Sequence, residues 1–175
     1  MRIIGGEFRS RRLKSLPGWA TRPTPDRLRE TLFDILGGQI ENTVFLDAYA
    51  GTGAVGIEAL SRGAARAVFI ERSRKATRVL RENLSSLGLE GRALVVARTV
   101  TSSIADHQAD IVFMDPPYDR ETEYADALNV LAGQRLKLVV VQHSVRFTLA
   151  GSYGRLQRTR ILKQGDNALS FYAVG

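Results

Sequence analysis

Apolar residues recur along this chain in two rhythms. Leu28, Leu32, Ile35 and Leu36 fall at helical spacing, with Thr24 read as the N-cap, Pro25 as the first helical residue and Gly37-Gly38 as the stop. From Val44 onward short apolar runs alternate with amphipathic ones. Strands are expected over Val44–Asp47, Ala67–Ile70, Ala93–Ala97, Ile111–Met114 and Leu138–Gln142. Helices are expected over Ala54–Ser61, Lys75–Leu87 (closed by Gly88) and Tyr124–Leu131. The tail changes rhythm: Gly154–Lys163 and Ala168–Val174 read as a β-hairpin around Gly165-Asp166-Asn167. Such alternation predicts an α/β fold, a doubly wound, mostly parallel sheet with a C-terminal antiparallel hairpin. Residues 1–22 lack either rhythm and read as an irregular or hairpin-like basic extension to a single globular domain over residues 23–175.

Ligands of doubly wound sheets bind outside the carboxyl ends of the strands. Three acids, Asp47, Glu71 and Asp115, fall at those ends. Asp115 opens the stretch Asp115-Pro116-Pro117-Tyr118, directly after the apolar run Ile111-Val112-Phe113-Met114. Proline cannot donate to a sheet ladder and pushes the preceding residue into an extended conformation. The strand must therefore stop at Asp115, with its carboxylate and the Pro116 carbonyl as acceptors in a rigid turn. Two convergent acceptors beside the Tyr118 ring suit a flat heterocycle that bears an NH2 group. An ordinary strand-ending turn would carry the same residues.

Between the first strand and its helix runs Asp47-Ala48-Tyr49-Ala50-Gly51-Thr52-Gly53-Ala54-Val55-Gly56. Gly51, Gly53 and Gly56 satisfy G-x-G-x-x-G, and Glu71 follows about twenty residues later, which is the fingerprint of a dinucleotide site. Two features count against NAD(P). An acid stands at the strand end with three residues between it and Gly51, where it would repel a pyrophosphate at the helix N-terminus. No nearby residue is an evident partner for hydride transfer. A cofactor with an ammonium, a ribose and an adenine but no phosphate fits better, and S-adenosylmethionine has all three. Glu71 could then accept from the ribose hydroxyls, and Arg72 could cover the adenine or lie in solvent.

Composition adds a partner. The 175 residues carry 25 Lys and Arg against 18 Asp and Glu, a net charge of +7 and a pI of about 10.2. Such a balance favours a polyanion. Residues 1–30 hold eight cations against three acids, and the cluster Arg9-Ser10-Arg11-Arg12 beside Gly5-Gly6 reads as an exposed basic arm. With Arg2, Lys14, Arg22 and Arg27 these residues are the candidate polyanion contacts, RNA-binding if the polyanion is RNA. Trp19 could stack on a bound nucleic acid or anchor the arm. The chain has no Cys, and no His, Asp or Glu spacing points to a metal. His107 reads as inert; His143 could line the pocket or be structural, and the structural role is favoured. No signal-peptide or membrane-spanning run is evident, so a cytoplasmic protein is expected; no coiled-coil or exposed apolar seam is evident either, so a monomer is expected.

The motifs resemble those of a known family. Met1-Arg2-Ile3-Ile4-Gly5-Gly6, Arg22-Pro23-Thr24 and Arg27-Leu28-Arg29-Glu30-Thr31-Leu32-Phe33 are similar to its amino-terminal signature. Asp47 to Gly53, Gly56-Ile57-Glu58-Ala59-Leu60-Ser61-Arg62-Gly63, Asn83-Leu84, Asp115 to Tyr118 and Gly165-Asp166 follow in the same order. Over essentially the whole chain the sequence resembles the RsmD family of bacterial 16S rRNA guanine-N2 methyltransferases. The resemblance implies a Rossmann-like, class I methyltransferase fold and transfer from S-adenosylmethionine to the exocyclic N2 of a guanine in 16S rRNA, within the small ribosomal subunit or its assembly intermediate. By motif it implies that Asp47 and the Gly51-Thr52-Gly53 turn hold the methionine end, Glu71 the ribose, and Asp115, Pro116 and Tyr118 the target base; Ala50 and Arg72 are further candidate cofactor contacts, and Pro117 belongs to the Asp115–Tyr118 motif. The Asp-Pro-Pro-Tyr motif alone also belongs to enzymes acting on DNA adenine or transfer RNA, and a non-catalytic RNA-binding factor could keep the fold. The chain departs from the family pattern at Arg98-Thr99-Val100-Thr101, which lacks an Asn or Asp turn. It departs again at Gln164-Gly165-Asp166-Asn167, in place of Tyr-Gly-Asp-Thr, and at Gln142-His143-Ser144, which keeps a His but lacks the usual acid.

Overall fold

A computed structural model describes residues 1–17 and 24–175. Among the described residues one eight-stranded sheet runs through the molecule in the order β3-β2-β1-β4-β5-β8-β7-β6. β1 (Val44–Ala48), β2 (Arg66–Ile70), β3 (Ala93–Val96), β4 (Ile111–Met114) and β5 (Leu138–Ser144) are parallel to one another. β8 (Asn167–Val174) joins β5 antiparallel, followed outward by β7 (Leu156–Gln164) and the two-residue β6 (Ser152–Tyr153). The chain winds outward from β1 to β3, then returns to place β4 on the other side of β1. That reversal opens the crevice in which doubly wound sheets bind ligands.

Alternation along the strands sorts their side chains into two cores. Phe45, Phe69, Phe113, Val140 and Phe171 face one layer, with α1 (Asp26–Leu36), α2 (Ala54–Ser61) and α3 (Arg74–Ser86). Leu46, Val68, Val112, Met114, Val141 and Tyr172 face the other, with α4 (Val100–Ser103) and α5 (Glu121–Ala132). The same alternation puts Asp47, Glu71, Asp115 and Gln142 on the α1–α3 face, at the carboxyl ends of β1, β2, β4 and β5. Burial of a continuous apolar run on both faces explains why β4 reads as four consecutive apolar residues rather than an alternating strand.

Several boundaries depart from the sequence expectation. Helix α1 starts at Asp26, with Pro25 as its N-cap at an extended ψ of 137°, while Thr24 is buried and makes no capping bond. Helix α5 begins at Glu121, one turn earlier than expected, because its first turn, Glu121 to Glu123, is polar and carries no apolar period. Strand β5 runs on to Ser144 because β8 pairs with it as far as Ser144↔Asn167. β7 starts at Leu156 rather than Gly154, and α4 and β6 were not legible in the pattern.

The described part of the amino-terminal extension is a hairpin docked on the domain rather than a free arm. Ser10 N donates to Ile3 O at 2.8 Å, Ile3 N to Arg11 O at 3.0 Å and Leu13 N to Met1 O at 2.8 Å. Ile3 and Leu13 are buried in the α1–α3 core. Beneath the hairpin, the wholly buried Glu58 of α2 accepts from Ile4 N at 2.9 Å and Gly5 N at 2.8 Å, and from Arg62 Nε at 2.9 Å. Gly6 adopts φ +80°, and a Cβ there would lie 1.9 Å from the Ser61 carbonyl, so only glycine lets the hairpin come this close to α2. Arg2, Arg9, Arg11, Arg12, Lys14 and Arg27 keep exposed side chains. Arg22 and Trp19 lie outside the described residues.

Candidate active site

The glycine loop folds back over the end of β1. Ala50 N donates to Ile70 O and Gly53 N to Ala50 O, each at 2.9 Å, which turns the chain tightly into α2. Tyr49 has φ +64° and Gly51 φ +58°; Gly53, the N-cap of α2, has φ +93°. A Cβ on Gly53 would lie 2.2 Å from Leu80 Cδ1, so the glycine is demanded by packing as well as by backbone shape.

Both acids expected at this end of the sheet hold the loop. Asp47 is 2% exposed and its Oδ2 accepts the Gly56 N–H at 2.8 Å. Glu71 accepts from Gly51 N with one oxygen and from Ser73 N with the other, each at 2.8 Å, which ties the loop to the start of α3. Each Glu71 oxygen accepts one of these two bonds, and a carboxylate oxygen has room for a second. Asn83 of α3 secures the loop from behind, with its Nδ2 donating to Thr52 O at 3.0 Å. Arg72 is exposed beside them.

Asp115 directly follows the end of β4, two residues beyond Phe113, the register partner of Asp47. Among the described residues none hydrogen-bonds its carboxylate, which is half-buried. The Pro116 carbonyl receives only a long bond, 3.4 Å, from the hydroxyl of buried Tyr124. Pro117 is exposed, and Tyr118, 40% exposed, donates its hydroxyl to Asn167 Oδ1 at 2.6 Å. That bond ties the turn after β4 to the β7–β8 hairpin. Gln142 follows Val141, the register partner of Met114, so it stands beside Asp115 on the same face. Gln142 is buried, and among the described residues its Oε1 has no partner. A hollow of about 380 Å³ lined by Tyr118 to Glu123 excludes Asp115, so the acceptors, not this hollow, locate the chemistry.

The acids are short of positive charge. Burial pushes the Asp115 carboxyl up to about 8, and the nearby Asp47 charge adds to the rise. Burial pushes Asp47 up to about 7, with the Gly56 N–H working against it and the Glu71 charge adding to it. Among the described residues no cationic side chain contributes at either group. Two neighbouring carboxyls raised in this way suit a ligand that brings its own positive charge. They disfavour a pyrophosphate. S-adenosylmethionine, with a sulfonium and an ammonium, fits this donor set.

Four polar residues of the site escaped the sequence reading, namely Tyr49, Glu123, Tyr124 and Asn167. Tyr49 donates to Glu123 Oε2 at 2.6 Å and so joins the glycine loop to α5. Burial raises the Tyr49 hydroxyl, and the Glu123 carboxylate raises it further. Asn83 entered that reading only as part of a motif. Its polar side chain within the buried α3 stripe of Ala76, Thr77, Leu80 and Leu84 is the signal that could have found it. His143 is not at the site. Its ring is buried on the opposite face, with Nε2 2.8 Å from Ser170 Oγ and Nδ1 2.9 Å from Ser144 O.

The fold and this arrangement of acids define an S-adenosylmethionine-dependent methyltransferase of the Rossmann-like class. Comparisons with known proteins give the family. The sequence model described as "Conserved hypothetical protein 95" matches residues 1–173, and the chain belongs to that family, the family of the RsmD methyltransferases. It is 32% identical over 180 residues to "Putative rRNA methyltransferase YlbH" of Bacillus subtilis (strain 168), covering 98% of each chain. It is 45% identical over 122 residues to "Ribosomal RNA small subunit methyltransferase D" of Escherichia coli (strain K12), covering 69% of this chain and 61% of that one. Among solved structures, "Putative methyltransferase yhhF from Escherichia coli" superimposes with a TM-score of 0.87 at 34% identity, over 99% of this chain and 97% of that chain. An RNA methyltransferase from Salinibacter ruber in complex with S-adenosyl-L-homocysteine shares the fold at a TM-score of 0.68 and 18% identity, over 87% and 94% of the two chains.

Proposed function

We propose that this protein transfers a methyl group from S-adenosylmethionine to the exocyclic N2 of a guanine in 16S rRNA. The observation that carries the chemistry is the Asp115 carboxylate, which accepts no hydrogen bond among the described residues, beside the weakly engaged Pro116 carbonyl. The ribosomal substrate is supported by relatives that bear the rRNA methyltransferase name, one of them matched over 98% of its length.

A guanine N2 is a poor nucleophile because its lone pair is delocalised into the ring. Donating its two N–H groups to Asp115 and Pro116 biases the nitrogen toward pyramidal geometry and turns the lone pair away from the ring. Tyr118, held by Asn167, supplies a ring face on which the base stacks. The cofactor, when bound, supplies a methyl carbon on a good leaving group. The chain's own contribution is mainly positioning, which brings reacting atoms to about 3 Å and in line. No general base is required, because the methylated nitrogen loses its proton readily. Asp47 works from beneath the glycine loop through Gly56, while Glu71 keeps lone pairs for the ribose hydroxyls. Arg72, Ala50, Thr52 and Gly53 complete the cofactor side. The target base must leave its stack, at a cost of a few kcal/mol, which favours an unpaired nucleotide.

A tritium-methyl transfer assay on undermethylated small subunits, naked 16S rRNA and unmodified DNA, followed by nucleoside analysis, tests this reading. N2-methylguanosine in the ribosomal samples is the expected product. N6-methyladenine in DNA, or methylation confined to transfer RNA, would overturn the substrate. Tight RNA binding with no transfer would leave a non-catalytic factor.

A further inference from the structure

The hairpin and helix α3 lie far apart in sequence but together in the fold. Lys14 Nζ reaches Glu82 Oε2 at 2.9 Å, Arg11 Nη2 donates to Ser86 O at 3.2 Å, and Lys14 N donates to Asn83 Oδ1 at 2.8 Å. The outward side of α3 carries Arg74, Arg78 and Arg81 at i, i+4 and i+7, with Lys75 beside them, all exposed. Seven residues of helix place Arg74 and Arg81 about 10 Å apart along the axis. Glu82 is the single acid on this side of the helix, and Lys14 and Arg78 already engage it.

Charge is concentrated here beyond what a solvated helix face needs. Residues 1–17 hold five cations against one acid, and so do residues 72–82. The remaining residues carry fifteen cations against sixteen acids, so the whole positive excess of the chain lies in these two segments. Like charges spaced i, i+3 and i, i+4 weaken a helix, whereas a surface helix gains from alternating signs. The arrangement makes sense when an outside polyanion supplies the missing negative charge. Helix α3 also starts just after Glu71, so its cations begin at the cofactor end of the sheet and lead toward Ser86 under Arg11.

We propose that the outer face of α3, continuous with the hairpin cations, is a phosphate-binding track for the RNA backbone flanking the target nucleotide. The inference takes the identity of the polyanion from the function proposed above. Arg78 and Arg81 contact phosphates in this arrangement, and neither touches the cofactor loop or the Asp115 turn.

The test measures binding of unmodified 16S rRNA transcript as a function of salt for wild type, Arg78→Glu/Arg81→Glu and the milder Arg78→Gln/Arg81→Gln. Loss of two phosphate contacts lowers the slope of log affinity against log salt by about 1.4 to 1.8. The reversed variant is expected to bind RNA at least about tenfold more weakly at low salt. S-adenosylmethionine affinity and melting temperature, unchanged in the Gln pair, show that the fold is intact. Wild-type RNA affinity and salt slope in both variants would overturn the track. If wild type methylates 16S rRNA while both variants bind normally, only the track falls. If wild type transfers no methyl group to RNA but the variants lose RNA binding, the track stands and the functional reading falls.

Discussion

Asn83 holds the Lys14 peptide from both sides: its Oδ1 accepts the Lys14 N–H at 2.8 Å, and its Nδ2 donates to the Lys14 carbonyl at 3.0 Å. The same Nδ2 donates to Thr52 O in the glycine loop. One buried carboxamide thus joins the hairpin, α3 and the cofactor loop. Asn83→Leu would strip these groups of their partners at a cost of about 1–3 kcal/mol. In a chain of this size that lowers the melting temperature by roughly 2–4 °C per kcal/mol. Calorimetry should show this drop, and titration should show weaker S-adenosylmethionine binding. A variant that melts and binds like wild type would show that the clamp carries no load.

Glu58 makes the second anchor. It is fully buried, with two hairpin amides and Arg62 as partners, and Arg29 Nε lies 3.7 Å away. Removing one member of a buried charged network costs about 3–5 kcal/mol. Glu58→Ala should therefore lower stability by about that much, and the Ile4 and Gly5 amides should exchange with solvent much faster. Slow exchange at those amides in the variant would refute the anchoring role.

Asp115 and Asp47 make the unliganded site pH-sensitive. Their folded values of about 8 and 7 lie above the unfolded value of 3.8. The folded protein therefore holds protons that the unfolded chain has lost. Their contribution to stability is greatest below pH 4 and declines as pH rises through 8. A cationic cofactor favours the ionised acids, so binding releases protons. Affinity for S-adenosylmethionine is expected to rise between pH 6 and 8, by at most about tenfold per unit for each group. Calorimetric titration in buffers of different ionisation enthalpy measures the release, and Asp115→Asn should reduce it. No proton release in wild type would contradict the pairing.

If Asp115 accepts from the target amine as proposed, Asp115→Ala should slow single-turnover methyl transfer by about 100-fold or more. RNA affinity should change little, because the proposed phosphate contacts lie elsewhere. Full transfer by this variant would dismiss the amine-orienting role.

Tyr118 separates stacking from hydrogen bonding. Tyr118→Phe keeps the ring but loses the hydroxyl and its bond to Asn167, and should slow transfer by less than about tenfold, since an exposed hydrogen bond contributes about 1 kcal/mol. Tyr118→Ala also loses the ring and should be slower by a further factor of about 10 or more. Equal rates in the two variants would argue against stacking.

Much of the architecture was legible because burial writes itself into periodicity. Helix α2 and strand β4 begin and end where their apolar runs do. Asp47, Glu71 and Asp115 could be placed at strand ends because proline, glycine and charge interrupt those runs. Tyr49–Glu123 and Tyr118–Asn167 could not be read, since they join residues 74 and 49 positions apart and leave no local pattern. The hairpin was read as an exposed arm because its composition is basic, and Ile3 and Leu13 are too few to form a periodic stripe.

By itself, the sequence determined the parallel sheet, the acids at its carboxyl end, the absence of cysteine chemistry and the net positive charge, all of which follow from local pattern or composition. Only the tertiary structure decided what each acid touches: Asp47 and Glu71 accept from backbone N–H groups, while among the described residues Asp115 accepts from none. It also decided that the basic hairpin lies along the basic face of α3. The reason is physical, because these pairings depend on Glu58, Asn83 and Gly6 meeting backbone that is distant in sequence, and no periodicity encodes such encounters.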